Sequence, residues 1–481
     1  MKSARSLNYL LLGAALALSV PTAVRSQAEG DVPPPKPAAH SNVLLGEENQ
    51  RDQVNDENVT TFRPDYRTLT GIQDSTIGSP EVLHSYWMPG VSYFNSLQSN
   101  GYSQGGGADW NSTNFLIGNL TLLEAWPRGQ LGINYTGGGY FSTNAARGSG
   151  QNHQLGVVQE FNWERLHLSF LDQFSYLPST AFGFGAGTNL SFPGVSGSPG
   201  AVLPGLGSGG VPNQSIYTGV GPRYSNAFGS QMSYELTPRS SFTLGGVYGI
   251  LRFTDSASVE SNDLILNAGY NYALSQRDTV GLSYRFTTYH FLGQPQAIGN
   301  NSPRFSYGRT ITGRLALQLS GGVEVTSFRV PINGETRHIG GAASAHLQYE
   351  VERGSFHLGY SHGVSGGSGV FVGATTDQIQ VGGDRHLTRQ WTGNAHFGYA
   401  HNRQVIQTNN AAGSATYNSF YFGGGAARPL GNYMGFSTAY TGYVQHSSAG
   451  ALCVIGTCGR TYTTHQITLG FNWHTRPFVL P

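Results

Sequence analysis

Few side chains in this 481-residue chain are spaced as reactive chemistry requires. His362 and Ser365 lie close together in a Gly/Ser-rich stretch, and barrel phospholipases do use Ser and His. No Gly-x-Ser-x-Gly elbow, Walker loop or His-Glu-x-x-His occurs, so an ordinary loop explains that pair better. Asp52, Asn55 and Asp56 lack the glycine and distal glutamate of a calcium loop. Cys453 and Cys458 are the only cysteines, and an oxidising envelope would join them in a local disulfide. A zinc site would need a second Cys or His pair of matching spacing, and none is present. The chain therefore reads as a non-enzyme with no metal and no cofactor.

A different set of polar residues recurs with period two. Arg285 alternates with Val280, Leu282, Tyr284 and Phe286 across the two faces of one segment. Gln318 and Glu324 oppose Leu315, Leu317, Leu319, Val323 and Val325; His346, Gln348 and Glu350 oppose Ile339, Ala343, Ala345, Leu347, Tyr349 and Val351. Gln231, Glu235, Asn394 and His396 belong to the same inward set. Strand side chains point alternately to opposite faces. A face apolar outward and polar inward suits a wall between lipid and water, and these ten residues are expected to line a pore. Two segments resist. In 166–177 Asp172 shares the apolar face, and in 115–126 both faces are apolar.

Such strands need connections, and these also alternate. Trp126-Pro127-Arg128-Gly129, Trp163-Glu164-Arg165, Thr237-Pro238-Arg239-Ser240 and Glu352-Arg353-Gly354 are among eight short turns, each followed one strand later by a longer Gly/Ser/Asn loop. Outer-membrane barrels carry short periplasmic turns and long extracellular loops. The expected fold is all-β: a transmembrane, antiparallel, up-and-down barrel of about 18 strands over residues 85–475. A repeat near forty residues would also fit a propeller, but propeller strands are shorter and need no apolar outer face. Aromatic residues at strand ends, such as Trp126, Trp163, Tyr234, Trp391 and Trp473, suit interfacial girdles.

Lys2, Arg5 and the apolar run from Leu7 to Val24, with Ser26 and Ala28 before the break, read as a signal peptide at 1–28. Its removal takes Lys2, Arg5 and Arg25 from 27 basic residues and leaves a balance near −2 against 26 acidic ones. No basic surplus attracts nucleic acid. Residues 29–84, with Pro33-Pro34-Pro35-Lys36-Pro37, are expected as a periplasmic tail or small plug, and 476–481 as a C-terminal extension. Charged residues make up only 11% of the chain against roughly 25% in soluble domains.

The longest connection, Pro178 to Pro222, carries no Asp, Glu, Lys or Arg. Loops of this length are uncommon and usually functional. Phe182, Phe184, Leu190 and Phe192 bury poorly outside, so this loop is expected to enter the lumen as a constriction.

The signal peptide, the hairpin pattern and the terminal Ile467-Thr468-Leu469-Gly470-Phe471-Asn472-Trp473 resemble the outer-membrane porin family of Gram-negative bacteria, particularly its acidobacterial-type barrels. The terminal strand is similar to the one read by the barrel-assembly machinery, although His474 to Pro481 continue past it. The resemblance implies an outer-membrane location and passive diffusion of small hydrophilic solutes, weakly selective for charge. General porins fold the third extracellular loop inward, a device that 178–222 matches in position and length but not in acidity. A closed or plugged barrel acting as an anchor or surface-binding protein is the alternative, and a homo-oligomer is left open.

Overall fold

The computed structural model describes residues 85–99, 110–143, 149–177, 216, 222–254, 258–332, 334–367, 369, 371–405, 416–448 and 461–480. All belong to the second of two compact units, Thr60–Pro481. The signal peptide and tail expected at 1–84, the loop residues Phe182, Phe184, Leu190 and Phe192, and Cys453 and Cys458 lie outside the described residues.

Eighteen long strands follow one another round the wall. They are β1 (Tyr86–Ser99), β2 (Trp110–Trp126), β3 (Gly129–Ser142), β4 (Ser149–Asn162), β5 (Leu166–Leu177) and β6 (Arg223–Thr237). Then come β7 (Ser240–Phe253), β8 (Ser261–Ala273), β9 (Asp278–Phe291), β10 (Ala297–Thr312), β11 (Leu315–Ile332) and β12 (Glu335–Val351). The wall is completed by β13 (Gly354–Ser365), β14 (Ala374–His386), β15 (Thr392–Gln404), β16 (Thr416–Pro429), β17 (Met434–Ser447) and β18 (Thr461–His474). Every strand pairs antiparallel with the next, and β18 pairs back onto β1 from Gly90↔His474 to Gln98↔Gln466, which closes the barrel. A two-residue β19 (Phe478–Val479) adds to Tyr86 and Trp87 of β1, inside the stretch expected as an extension.

Short turns follow β2, β4 and every even strand up to β16. One connection on the other side departs from the expected length. The hairpin after β11 turns at once, with Gly334 at φ +84, because β11 and β12 themselves run on as long strands. Only glycine takes that φ cheaply.

Burial follows the alternation. Leu282, Ile339, Val323, Leu244 and Leu469 stay exposed on the outward face, while Ser92, Thr243, Ser302, Thr326 and Thr468 are buried on the inward one. So inverted a protein needs an apolar surrounding, since a contiguous apolar surface of this extent is not left in water. Rings meet at the short-turn end, where Trp87 stacks on Phe478 at 4.8 Å and Phe161 on Trp163 at 5.8 Å, and the Arg428 guanidinium lies over Trp391 at 5.8 Å.

The two resisting segments have different explanations. In β2 the inward residues Phe115 and Ile117 are buried because Phe94 of β1 and Tyr140 of β3 form an apolar cluster with them inside the wall. In β5 no register shift occurs against β4 or β6, so Asp172 faces outward with the apolar side chains.

Candidate functional site: the lumen wall and a strap across its mouth

Strand register decides which side chains meet the interior. All ten lining candidates fall on the inward face: Gln231 and Glu235 on β6, Arg285 on β9, Gln318 and Glu324 on β11, His346, Gln348 and Glu350 on β12, and Asn394 and His396 on β15. The fold brings others beside them that alternation did not single out. Arg304 of β10 lies diagonal to Arg285, since Arg285 pairs with Ser302 and Arg304 with Ser283. Arg285 Nε donates to Asn267 Oδ1 at 2.9 Å and Arg304 Nε to Ser302 Oγ at 3.0 Å, which fixes both guanidiniums at mid-height.

Further round the wall, two imidazoles lie over glycines. His357 of β13 and His396 of β15 face inward on either side of Gly382 of β14. A Cβ on Gly382 would meet His357 Nε2 at 2.5 Å, and one on Gly423 of β16 would meet His396 Nε2 at 2.6 Å. The rings therefore lie flat along the wall, and His396 also stacks on Tyr421 at 4.8 Å. Nearer the short-turn end, Glu350, Ser355, Asp384 and Asn394 follow one another in register, with Ser355 Oγ donating to Asp384. Along the inward face, from mid-height toward the short-turn end, arginines are followed by histidines and then by carboxylates. Among the described residues no group of His, Cys, Asp and Glu could hold a metal ion.

Glu324 is inward but only 4% exposed. Asn300 Nδ2 donates to its Oε1, and the Val364 backbone N–H lies 3.4 Å from the same oxygen. The carboxylate thus grips the root of the connection after β13, which folds across the mouth. Tyr289 OH of β9 donates to the Val364 carbonyl at 3.3 Å, and the Val259 N–H donates to the Gly369 carbonyl at 2.8 Å. Gly369 lies against the ring of Phe253 at the end of β7, and Gly373 against Ile298 of β10. Gly367, Gly369 and Gly373 all have positive φ, which this tight path requires. Since β7 and β14 are not wall neighbours, these contacts form a strap rather than an edge. Beneath it Tyr289, Phe291, Ile298 and Phe328 make a buried apolar cluster that also takes Val364, Val372 and Val405.

Phe371 ties the strap to a second connection. It packs with Ala374, with Tyr417 of β16 at 5.4 Å, and with Ile216, which is 2% exposed. Ile216 is the one described residue of 178–221, a connection that leaves the wall at β5 and returns at β6. Its packing against Phe371 and Tyr417 places Ile216 itself on the β14–β16 side.

No protein-family model matches the chain, and no curated protein matches it. Solved structures similar to it include Pseudomonas aeruginosa OpdQ, at 10% identity and TM-score 0.38, over 82% of this chain and 98% of that one. Acinetobacter baumannii OccAB1 is similar at 11% identity and TM-score 0.40, over 81% of this chain and 96% of that one. The outer membrane protein OpdK of Pseudomonas aeruginosa is similar at 11% identity and TM-score 0.38, over 82% and 99%. Likeness this distant leaves the barrel resting on its own strand register.

Proposed function

We propose that this protein is a passive, non-enzymatic channel for small hydrophilic solutes in the outer membrane of a Gram-negative bacterium. One observation carries the reading: a closed wall of eighteen strands whose inward face holds Arg285, Arg304, His346, His357, Asn394 and Glu350. At roughly 16–18 strands, side chains no longer fill a barrel and an aqueous lumen results. The exposed outward leucines, valines and aromatics suit lipid, and the terminal strand suits handling by the barrel-assembly machinery. The affiliation with acidobacterial-type porins stands as part of the same proposal.

The strap, with Ile216 packed against its Phe371, narrows the mouth by size. Charge selectivity is weak, because cationic and anionic layers succeed each other along the path and Glu324 is engaged in holding the strap. The strap also favours one alternative, a barrel shut at its mouth that serves as an anchor or surface-binding protein. Liposome swelling separates the two. Vesicles containing the protein should swell at rates falling steeply with the size of neutral sugars, whereas a shut barrel leaves them at the rate of protein-free vesicles.

A further inference from the structure

Asp172 has no part in a channel lumen, and among the described residues its position is unlike that of any other acidic residue on the outward face. It lies half-way along β5, sharing that face with Leu168, Phe170 and Phe174, between Val157 of β4 and Phe228 of β6. The other described outward acids stand near strand ends: Glu124 on β2, Asp278 on β9, Glu335 on β12 and Asp377 on β14. Asn226 Nδ2 donates to Asp172 Oδ1 at 2.8 Å and, weakly, to the Gln173 carbonyl at 3.4 Å, and no described residue donates to Asp172 Oδ2. Beside this pair, toward the long-loop end, outward rings form a row across β3 to β6. Tyr135 stacks on His153 at 6.2 Å, His153 on Tyr176 at 6.3 Å, and Tyr176 lies against Tyr224 at 4.6 Å.

A polar group at hydrocarbon depth is costly unless something satisfies it, and acyl chains at that depth offer no donor. Rigid tyrosine-rich surface is typical of interface cores. The patch also holds an acceptor and a donor side by side, so it complements itself. We propose that the outward face of β3–β6 is the contact between two copies of this chain. A twofold axis outside the barrel, beside the patch and parallel to the membrane normal, keeps every residue at its own depth and gives an isologous interface. Asp172 Oδ2 then accepts from Asn226 of the partner subunit, whose second N–H exchanges its long contact with the Gln173 carbonyl for the charged acceptor, and the reverse pair forms with it. Another membrane protein would have to present a donor at the same depth by coincidence; a second copy does so by symmetry.

The test uses the full chain reconstituted in lipid nanodiscs and weighed by native mass spectrometry. The wild type should give a mass of two chains, or a multiple of two. Asp172→Leu combined with Asn226→Leu should give one chain while retaining heat-modifiable migration, the mark of a folded barrel. His465→Leu, on the outward face of β18 away from the patch, should leave the wild-type mass. In a background of Cys453→Ser and Cys458→Ser, Phe228→Cys should form a covalent dimer under oxidation in membranes, and Leu469→Cys should not. The proposal is overturned by a single-chain wild-type mass, by an unchanged mass in the double variant, or by equal cross-linking at both cysteine positions. Each outcome is independent of whether the lumen conducts.

Discussion

Three consecutive residues of β11 give a quantitative test of which face meets lipid. Leu317 and Leu319 point outward and Gln318 between them points inward. Leu319 is four residues beyond the first residue of the strand, Leu315. A rise of about 3.3 Å per residue on a strand tilted by about 45° gives ~2.3 Å along the membrane normal. Leu319 therefore lies roughly 9 Å inside an apolar band about 25 Å tall, near its middle, and Leu317 only about 5 Å inside. Arginine at the midplane costs roughly 2–4 kcal/mol and falls to about 0–1 near the interface. Arg309, paired in register with Leu317, already occupies that shallow level beside Asp278 at 3.7 Å. Leu319→Arg should thus lower the folding equilibrium constant by about 30- to 700-fold, at about 1.4 kcal/mol per tenfold. Leu317→Arg should lower it less than about tenfold, and Gln318→Arg should change it little. The assay is reversible urea unfolding from phospholipid vesicles, followed by tryptophan fluorescence. Equal losses for Leu319→Arg and Gln318→Arg would show that the assigned faces are wrong.

Other expectations follow from the same geometry. Gly423→Val would place a Cβ 2.6 Å from both His396 Nε2 and the Tyr440 carbonyl, so it should destabilise by roughly 1–3 kcal/mol in the urea assay. Gly313→Ala, with nothing within 4 Å, should be neutral there. Glu324→Ala removes the acceptor at the root of the strap and should make the 364–373 region exchange backbone hydrogens faster than in the wild type; unchanged exchange would refute the anchoring role. Mass spectrometry of protein from the cell envelope should find Cys453 joined to Cys458, and two free thiols would contradict that. Deleting residues 185–215 should raise conductance with little change in ion preference, and unchanged conductance would place that connection outside the path.

Much of the barrel was legible because period two is written plainly wherever the outward face is apolar, as in Val280-Gly281-Leu282-Ser283-Tyr284-Arg285 of β9. The register of Arg285, Glu324 and His346 follows directly from it. Arg304 was not legible, because its neighbours on the outward face of β10 include Gly299, Asn301 and Pro303, which carry no apolar alternation. Asp172 was visible as an exception, and the strand keeps it outward without a bulge. The strap was missed because its residues look like any Gly-rich loop. The signal was there in Phe371 and Val372, apolar side chains in a loop that would otherwise face water. Glu324 shows the limit of face assignment: period two places it inward, but only the chain crossing above it decides that it is covered.

The channel reading is tested most directly by single-channel current through the purified full-length protein in a planar lipid bilayer. It predicts discrete conductance steps in the wild type, with a reversal potential in a salt gradient near zero, as weak charge selectivity requires. A protein that is folded and inserted, shown by heat-modifiable migration, yet passes no current at any voltage would contradict an open lumen and leave the shut barrel in its place.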